Sequence, residues 1–281
     1  MLFLRFSWRF IRLGFFISLL FTFLLFIVQL VRLDQILLRL PLYDSLPFLF
    51  LWNFYYFSYF LPTALFISYS FTLFEFKESR KLHIAQSFGV SPKNFYIRSL
   101  LYCLPIILSL FVSSLLVKEE DIGNLRRQLS LKYYTLMVTS VPPGTFHSID
   151  QLILYVERRE GKFLEGVFFR YPEGVVVARR AFVEGESIVF EGGSVVTFKE
   201  GKTYTTEFKR HRLSLAGSMG REKNKNKSTA IGILNSSSLP MLLFLGYLIS
   251  KRVEHHQRLY YTIGIASVFY QAFLVLLKQS L

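Results

Sequence analysis

Five long apolar runs dominate the chain: Leu13 to Val31, Ser45 to Phe74, Ser99 to Val117, Ser228 to Ser250 and Leu259 to Leu277. None contains a charged residue, and each reaches the roughly 17 to 25 residues that a helix needs to cross ~30 Å of hydrocarbon. The second is long enough to tilt, or to kink at Pro62. The pattern predicts a membrane protein with about five helical spans.

Between the second and third runs lies KESRKLHIAQSFGVSPKNF, Lys77 to Phe95, which is charged and helically periodic. Ser79 is placed to cap a helix, and Leu82, Ala85 and Gly89 fall on one face with Ile84 and Phe88 beside them. Gly89 can end that helix in the left-handed conformation, and Ser91-Pro92 offers an N-cap and an N1 proline to the third span. A short surface helix over 77–89 is expected. It either rests on lipid as an interfacial helix or acts as a lever docked into a cytoplasmic partner; its few apolar side chains favour the lever.

Between the third and fourth runs the texture changes. Ile122, Leu125, Leu129 and Tyr133 recur at helical spacing from Asp121 to Met137, so span three is expected to continue into an amphipathic helix outside the bilayer. Beyond Pro142-Pro143-Gly144, the runs LILYVE, GVFFRY, GVVVARRAFVEG, SIVFEGGSVVTF and TYTTEF are rich in β-formers. They are separated by Gly, Glu-Gly or Gly-Gly turns, the spacing of an antiparallel sandwich or roll. REKNKNK, Arg221 to Lys227, reads as a flexible link back to the membrane. The fold class is therefore an α+β membrane protein, with a helical bundle and an inserted antiparallel β domain. The expected divisions are 1–117 for spans one to three, 118–228 for the inserted domain and 229–281 for spans four and five.

Composition agrees: 52% of residues are hydrophobic and 17% aromatic, too apolar for a soluble domain. The formal charge of +14 would suit a nucleic-acid partner, but its placement argues for topology instead. Arg5, Arg9 and Arg12 precede span one; Lys77, Arg80, Lys81, Lys93 and Arg98 lie between spans two and three; Lys251, Arg252 and Arg258 lie between spans four and five. All fall on one side, which the positive-inside rule makes cytoplasmic, and three crossings then place the β-rich segment outside. Span one is longer than a signal-peptide core and no small-residue cleavage site follows it. The lone Cys103 lies inside span three and reads as a small core residue.

The chemistry-bearing motifs are few. Gly201-Lys202-Thr203 resembles the end of a phosphate-binding loop, but Val196 stands where that loop needs its first Gly, and a strand-like run follows. His255 and His256 are adjacent rather than on one helix face, and no Cys or carboxylate cluster completes a metal site around them. No nucleophile triad or carboxylate pair is evident, so an enzyme is not expected. NSSSLP, Asn235 to Pro240, puts polar groups inside the fourth run, either to pack helices through small residues or to line a cavity.

Three segments resemble the LptF/LptG permeases of lipopolysaccharide export: MLFLRFSWRFIRLGFF with IVQLVRL, which is more similar to the LptF side; LHIAQSFGVSPKNF; and VPPGTFHSIDQLILYVERREGKFLEGVFFRYPEGVVVARRAFVEG followed by GGSVVTFKEG. The resemblance implies that the β domain is a periplasmic jellyroll. It implies a non-catalytic, multi-pass subunit of an ABC transporter in the inner membrane of a Gram-negative-type bacterium. It implies no cofactor of its own, with ATP bound by a partner. The implied partners are a cytoplasmic ATPase dimer, a second homologous permease, a periplasmic jellyroll protein of the LptC/LptA type, and lipopolysaccharide. It also implies an ATPase-coupling helix carried by Glu78, Lys81, Leu82, Ile84, Ala85, Phe88 and Gly89. Where the family has an acid eight positions before the closing Gly, Lys81 stands here, with Glu78 one turn earlier. Either the ATPase carries a complementary change or Glu78 takes the role. The family has six spans, against five read here. Arg32 at the outer end of span one, with Arg39 nearby, is expected to attract lipid phosphates; the alternative for Arg32 is an interface anchor that snorkels. Two other classes compete: a mechanotransmitting ABC permease acting on lipoproteins or the cell wall, and a membrane-anchored scaffold without a transport role.

Overall fold

Each apolar run is helical in the computed structural model, which describes residues 2–149, 152–171, 174–184, 187–199, 202–214 and 227–280. The long helices are α1 (Leu2–Arg39), α2 (Leu42–Glu78), α4 (Pro92–Leu116), α6 (Lys227–Arg252) and α7 (His256–Ser280), with a short α3 (Lys81–Ser87) and an intermediate α5 (Glu119–Ser140) between them. All five long helices are long and apolar enough to cross a membrane. The chain divides into two compact units, one of Met1–Asp34, Leu46–Gly123 and Lys223–Leu281, the other of Gln35–Ser45 and Asn124–Glu222.

In the helical unit, α2 is the central mast. In its most apolar window 67% is buried, against 17% for the corresponding windows of α1, α4 and α7. Small residues let neighbours approach it, which is how helices associate where lipid removes the hydrophobic drive. A Cβ added at Gly246 would lie 2.6 Å from Ser70 Oγ, and Ser250 Oγ donates to the Ser70 carbonyl at 2.9 Å. Ser18 Oγ on α1 donates likewise to the Phe57 carbonyl at 2.9 Å.

The polar stretch of α6 does both things expected of it as alternatives. Asn235 Nδ2 donates to the Tyr59 carbonyl at 2.9 Å, in the turn that Pro62 disrupts, and Asn235 Oδ1 accepts from the Tyr270 hydroxyl at 2.7 Å. Asn235 and Ser236 also line a narrow cleft between α2, α4 and α6, with Ser58, Ser113 and Ser114 among its other walls. Asn235→Leu removes both interhelical bonds and is expected to destabilise the bundle by about 1–2 kcal/mol, since such bonds are worth ~0.6 and at most ~1.7 kcal/mol each. Unfolding by denaturing detergent measures this, and Tyr270→Phe, which removes the hydroxyl's bonds to Asn235 and Ser238, should cost a comparable amount.

The helix after span three does not continue it. Val117 is extended (φ −110°, ψ 109°), and the Lys118 N–H is taken by the Asp121 carboxylate at 3.1 Å. Glu119, Glu120 and Asp121 then fill the first turn of α5, where carboxylates stabilise a new helix start. On α5, Lys132 bonds Asp44 in the first turn of α2 at 2.6 Å. That hydrogen bond holds the Lys132 ammonium above the ordinary lysine range. Its contribution is present below that range and is lost only as the pH rises through the raised value. Protease sensitivity of the α1–α2 turn should therefore not change between pH 6 and 9 in the native chain but should rise in Asp44→Asn.

The second unit is a six-stranded antiparallel sheet in sequence order, made of β1 (Phe146–Ile149), β2 (Leu152–Glu160), β3 (Phe163–Tyr171), β4 (Gly174–Glu184), β5 (Ser187–Lys199) and β6 (Lys202–Ser214). The expected roll is built as a meander, each described strand pairing with the next. Its core combines Leu154, Val156, Val167, Phe169, Val176, Ile188 and Phe190 with Leu131 and Val138 of α5. Gly192 and Gly193 are not a turn but lie in mid-strand. Inward residues change parity at one level: 164 then 167 on β3, 178 then 181 on β4, 190 then 195 on β5. Gly166 (φ 61°) and Gly192 (φ 63°) sit at that level in the left-handed region, which lets the strands slip phase without losing register. Along this crease Arg158, Glu165, Arg180, Glu191 and Arg210 stand opposite one another in turn, an alternating charge row across five strands. Residues 221–226 of the expected link lie outside the described residues, and Lys227 already opens α6.

Candidate functional site

One end of the helical unit gathers the start of α1, the end of α2, all of α3, the start of α4 and the α6–α7 turn. An aromatic cluster ties them together. Phe6 packs edge-on against Phe76 (5.0 Å), Phe95 (5.5 Å) and Tyr69 (5.8 Å), and Phe3 lies 4.7 Å from Phe95. Such pairs contribute about 0.5–1.5 kcal/mol each beyond their burial. Arg98 covers Phe3 at 4.0 Å, and Lys81 reaches over Phe76 at 5.3 Å.

The helix α3 stands on this cluster. Ala85 is 7% exposed within it, and Leu82 and Val90 pack against it. The opposite side is bare: Ile84 is 56% exposed and Phe88 82%. They are four residues apart, so they form one small apolar knob flanked by Lys81, His83 and Ser87. Gly89 (φ 76°) closes the helix, with the Val90 N–H reaching back to the Ala85 carbonyl at 3.0 Å. Ser91 then accepts the Lys93 N–H at 3.3 Å, with Pro92 at N1 of α4.

The start of this element differs from the expectation. The helix does not run over 77–89, because Lys77 and Glu78 complete the last turn of α2. Ser79 is not its cap: its hydroxyl lies 3.4 Å from the Phe76 carbonyl, and the residue before α3 is Arg80, in the left-handed region (φ 56°) without a side-chain cap. The chain turns there because α2 keeps bonding to its end, the Ser79 N–H to the Glu75 carbonyl and the Arg80 N–H to the Lys77 carbonyl. The structure thus separates the seven residues proposed for the site. Ile84 and Phe88 face outward, Leu82 and Ala85 face the cluster, Gly89 is the cap, Lys81 lies over Phe76, and Glu78 belongs to α2. The side chains of Arg32 and Arg39 lie outside the described residues.

Sequence reading passed over the contacts that the last turn of α2 makes. Glu75 pairs with Arg9 of α1 at 2.8 Å, and Glu78 with His256 of α7 at 2.8 Å. Lys77 Nζ donates to the carbonyls of Val253 (2.8 Å) and Lys251 (3.1 Å), and lies 3.5 Å from that of Ser250. The available signal was three charged residues in four positions at the end of an apolar helix, more than solubility requires.

Two comparisons bear on identity. The family profile described as "Lipopolysaccharide export system permease LptF/LptG" matches residues 6–277. An uncharacterized protein of Aquifex aeolicus (strain VF5) is 30% identical over 254 residues, spanning 88% of this chain and 87% of that protein. The match takes in all five long helices and the inserted sheet in the order described above. The chain is a multi-pass membrane protein that belongs to the LptF/LptG family of lipopolysaccharide export system permeases.

Proposed function

We propose that this chain is the permease subunit of an ABC exporter that draws lipopolysaccharide out of the inner membrane and hands it to a periplasmic jellyroll bridge. The observation that carries the coupling is the Ile84–Phe88 knob: two exposed apolar side chains on a helix that is capped at its end and seated on the aromatic cluster. A knob of that size fits a groove on a cytoplasmic ATPase better than it would hold a helix on lipid. The cations Arg5, Arg9, Arg12, Lys93, Lys251 and Arg258 lie at or beside the helix ends gathered around α3, which supports a cytoplasmic placement for that end and for the N-terminus. The sheet would then be periplasmic.

The work required explains the design. Burial of an acyl chain is worth about 0.8 kcal/mol per methylene, so exposing several chains to water costs on the order of tens of kcal/mol. An exporter has to keep those chains under apolar cover. The exposed faces of α1 (Phe16, Leu19, Phe23, Ile27) and α7 (Ile265, Val268, Phe269, Phe273) provide such cover, shared with a second, similar permease. Arg32 and Arg39 would meet lipid phosphates. This chain would bind no cofactor, and hydrolysis would belong to the ATPase dimer. Purification of the chain from its membranes in mild detergent, with bound proteins and lipid identified together, tests the reading. An ATPase, a second permease and lipopolysaccharide in stoichiometric amounts support it, and a chain that emerges without any of them overturns it.

A further inference from the structure

A push on α3 reaches α2 and α4 directly, because the chain runs α2–α3–α4 through short turns. The α6–α7 hairpin has no such covalent link. Its apolar packing on this end comes from Phe74 against His256, Phe71 against Tyr260 and Tyr96 against Tyr247, and the last turn of α2 adds two kinds of polar contact. Glu78–His256 joins side chains that are each about half exposed (54% and 49%), where solvent screens an ion pair and the hold is weak. Lys77 is different. Its ammonium lies among the Ser250, Lys251 and Val253 carbonyls, the groups that the last turn of α6 leaves without helical partners and where the helix dipole is negative. Three donors on one nitrogen match carbonyls from both the end of α6 and the turn into α7. Close by, Ser250 is bonded to Ser70 and Gly246 is packed on it, so Lys77 closes an α2–α6 seam that is already tight.

We propose that Lys77 is a positioning residue that makes the α6–α7 turn follow α3, so that a displacement of the coupling helix moves α7 and its apolar face along with α2. The inference rests on the exporter reading above, and it assigns a task to a residue outside α3 itself. Arginine can still donate to the same carbonyls, whereas methionine keeps the length and loses every donor.

The test uses the full complex purified from its membranes with wild-type chain, Lys77→Met and Lys77→Arg, reconstituted in lipid vesicles. Bound ATPase, ATP hydrolysis, lipopolysaccharide release and amide exchange over residues 250–256 are measured on each. Lys77→Met should retain the ATPase and its hydrolysis, exchange faster over 250–256, and release lipid about tenfold more slowly, the scale of couplings carried by single residues. Lys77→Arg should restore both exchange and release. Release at the wild-type rate by Lys77→Met with the ATPase bound overturns the inference and leaves the exporter reading intact. Equal failure of Lys77→Arg and Lys77→Met with unchanged exchange overturns it as well. A wild-type preparation without an ATPase removes the exporter reading and this inference together.

Discussion

Phe88→Asp should leave the protein folded and membrane-inserted while lipid export falls by about ten- to a hundredfold. The side chain is 82% exposed, so the substitution removes almost no native packing, and surface changes of this kind alter stability by about 0.5 kcal/mol or less. Burial of a phenyl ring in a partner groove is worth about 1.5–3 kcal/mol, which converts to roughly ten- to a hundredfold in affinity for the ATPase. The control lies three residues away. Ala85 is 7% exposed within the aromatic cluster, so Ala85→Asp should lower the yield of folded protein as well as export. ATPase retention and melting temperature, measured side by side on the two variants, separate lost docking from lost folding.

Gly193→Val should unfold the inserted sheet and leave the helical spans in place. An added Cβ at Gly193 would lie 2.0 Å from the Val177 carbonyl oxygen and 2.8 Å from the Ala178 Cα. Both are backbone atoms of the paired strand, so no rotamer change relieves the clash. Relief requires β4 and β5 to separate, and the core residues Val176, Ala178, Phe190 and Val195 separate with them. Overpacking against movable side chains costs about 1–3 kcal/mol; against fixed backbone the penalty should exceed that range. In a unit of this size, each kcal/mol lowers the melting temperature by about 4–8 °C. Limited proteolysis of intact membranes reads the outcome: cleavage between β1 and β6 at temperatures where the native sheet resists, with the five spans still membrane-bound.

The features legible in the sequence were those with a local period. Five uncharged runs became five long helices because the bilayer sets both their length and their composition. Gly89 and Ser91-Pro92 announced the end of α3 and the start of α4, since positive φ, an accepting hydroxyl and a missing N–H each have a narrow choice of residue. The misreadings share a cause, two local signals in competition. Ser79 is a good cap, but α2 had not finished bonding; Gly192-Gly193 is a good turn, but the strand continues through it. The crease was written in polar pairs at mid-strand, Glu165-Gly166, Arg179-Arg180, Glu191-Gly192 and Lys209-Arg210. Only register shows that these pairs line up. The contacts of Lys77 with Lys251 and Val253, and of Glu78 with His256, join residues more than 170 positions apart, which no periodicity within one helix reveals.

The central claim is that α3 is this exporter's contact with its ATPase, and a photo-activated cross-linker in place of Phe88 in living cells tests it most directly. The account predicts an adduct with a soluble protein that carries a phosphate-binding loop, and none from the same probe at the buried position Ala85. An adduct at position 88 with membrane lipid alone, in cells that still export lipopolysaccharide, would contradict it and make α3 a helix that merely rests on the bilayer.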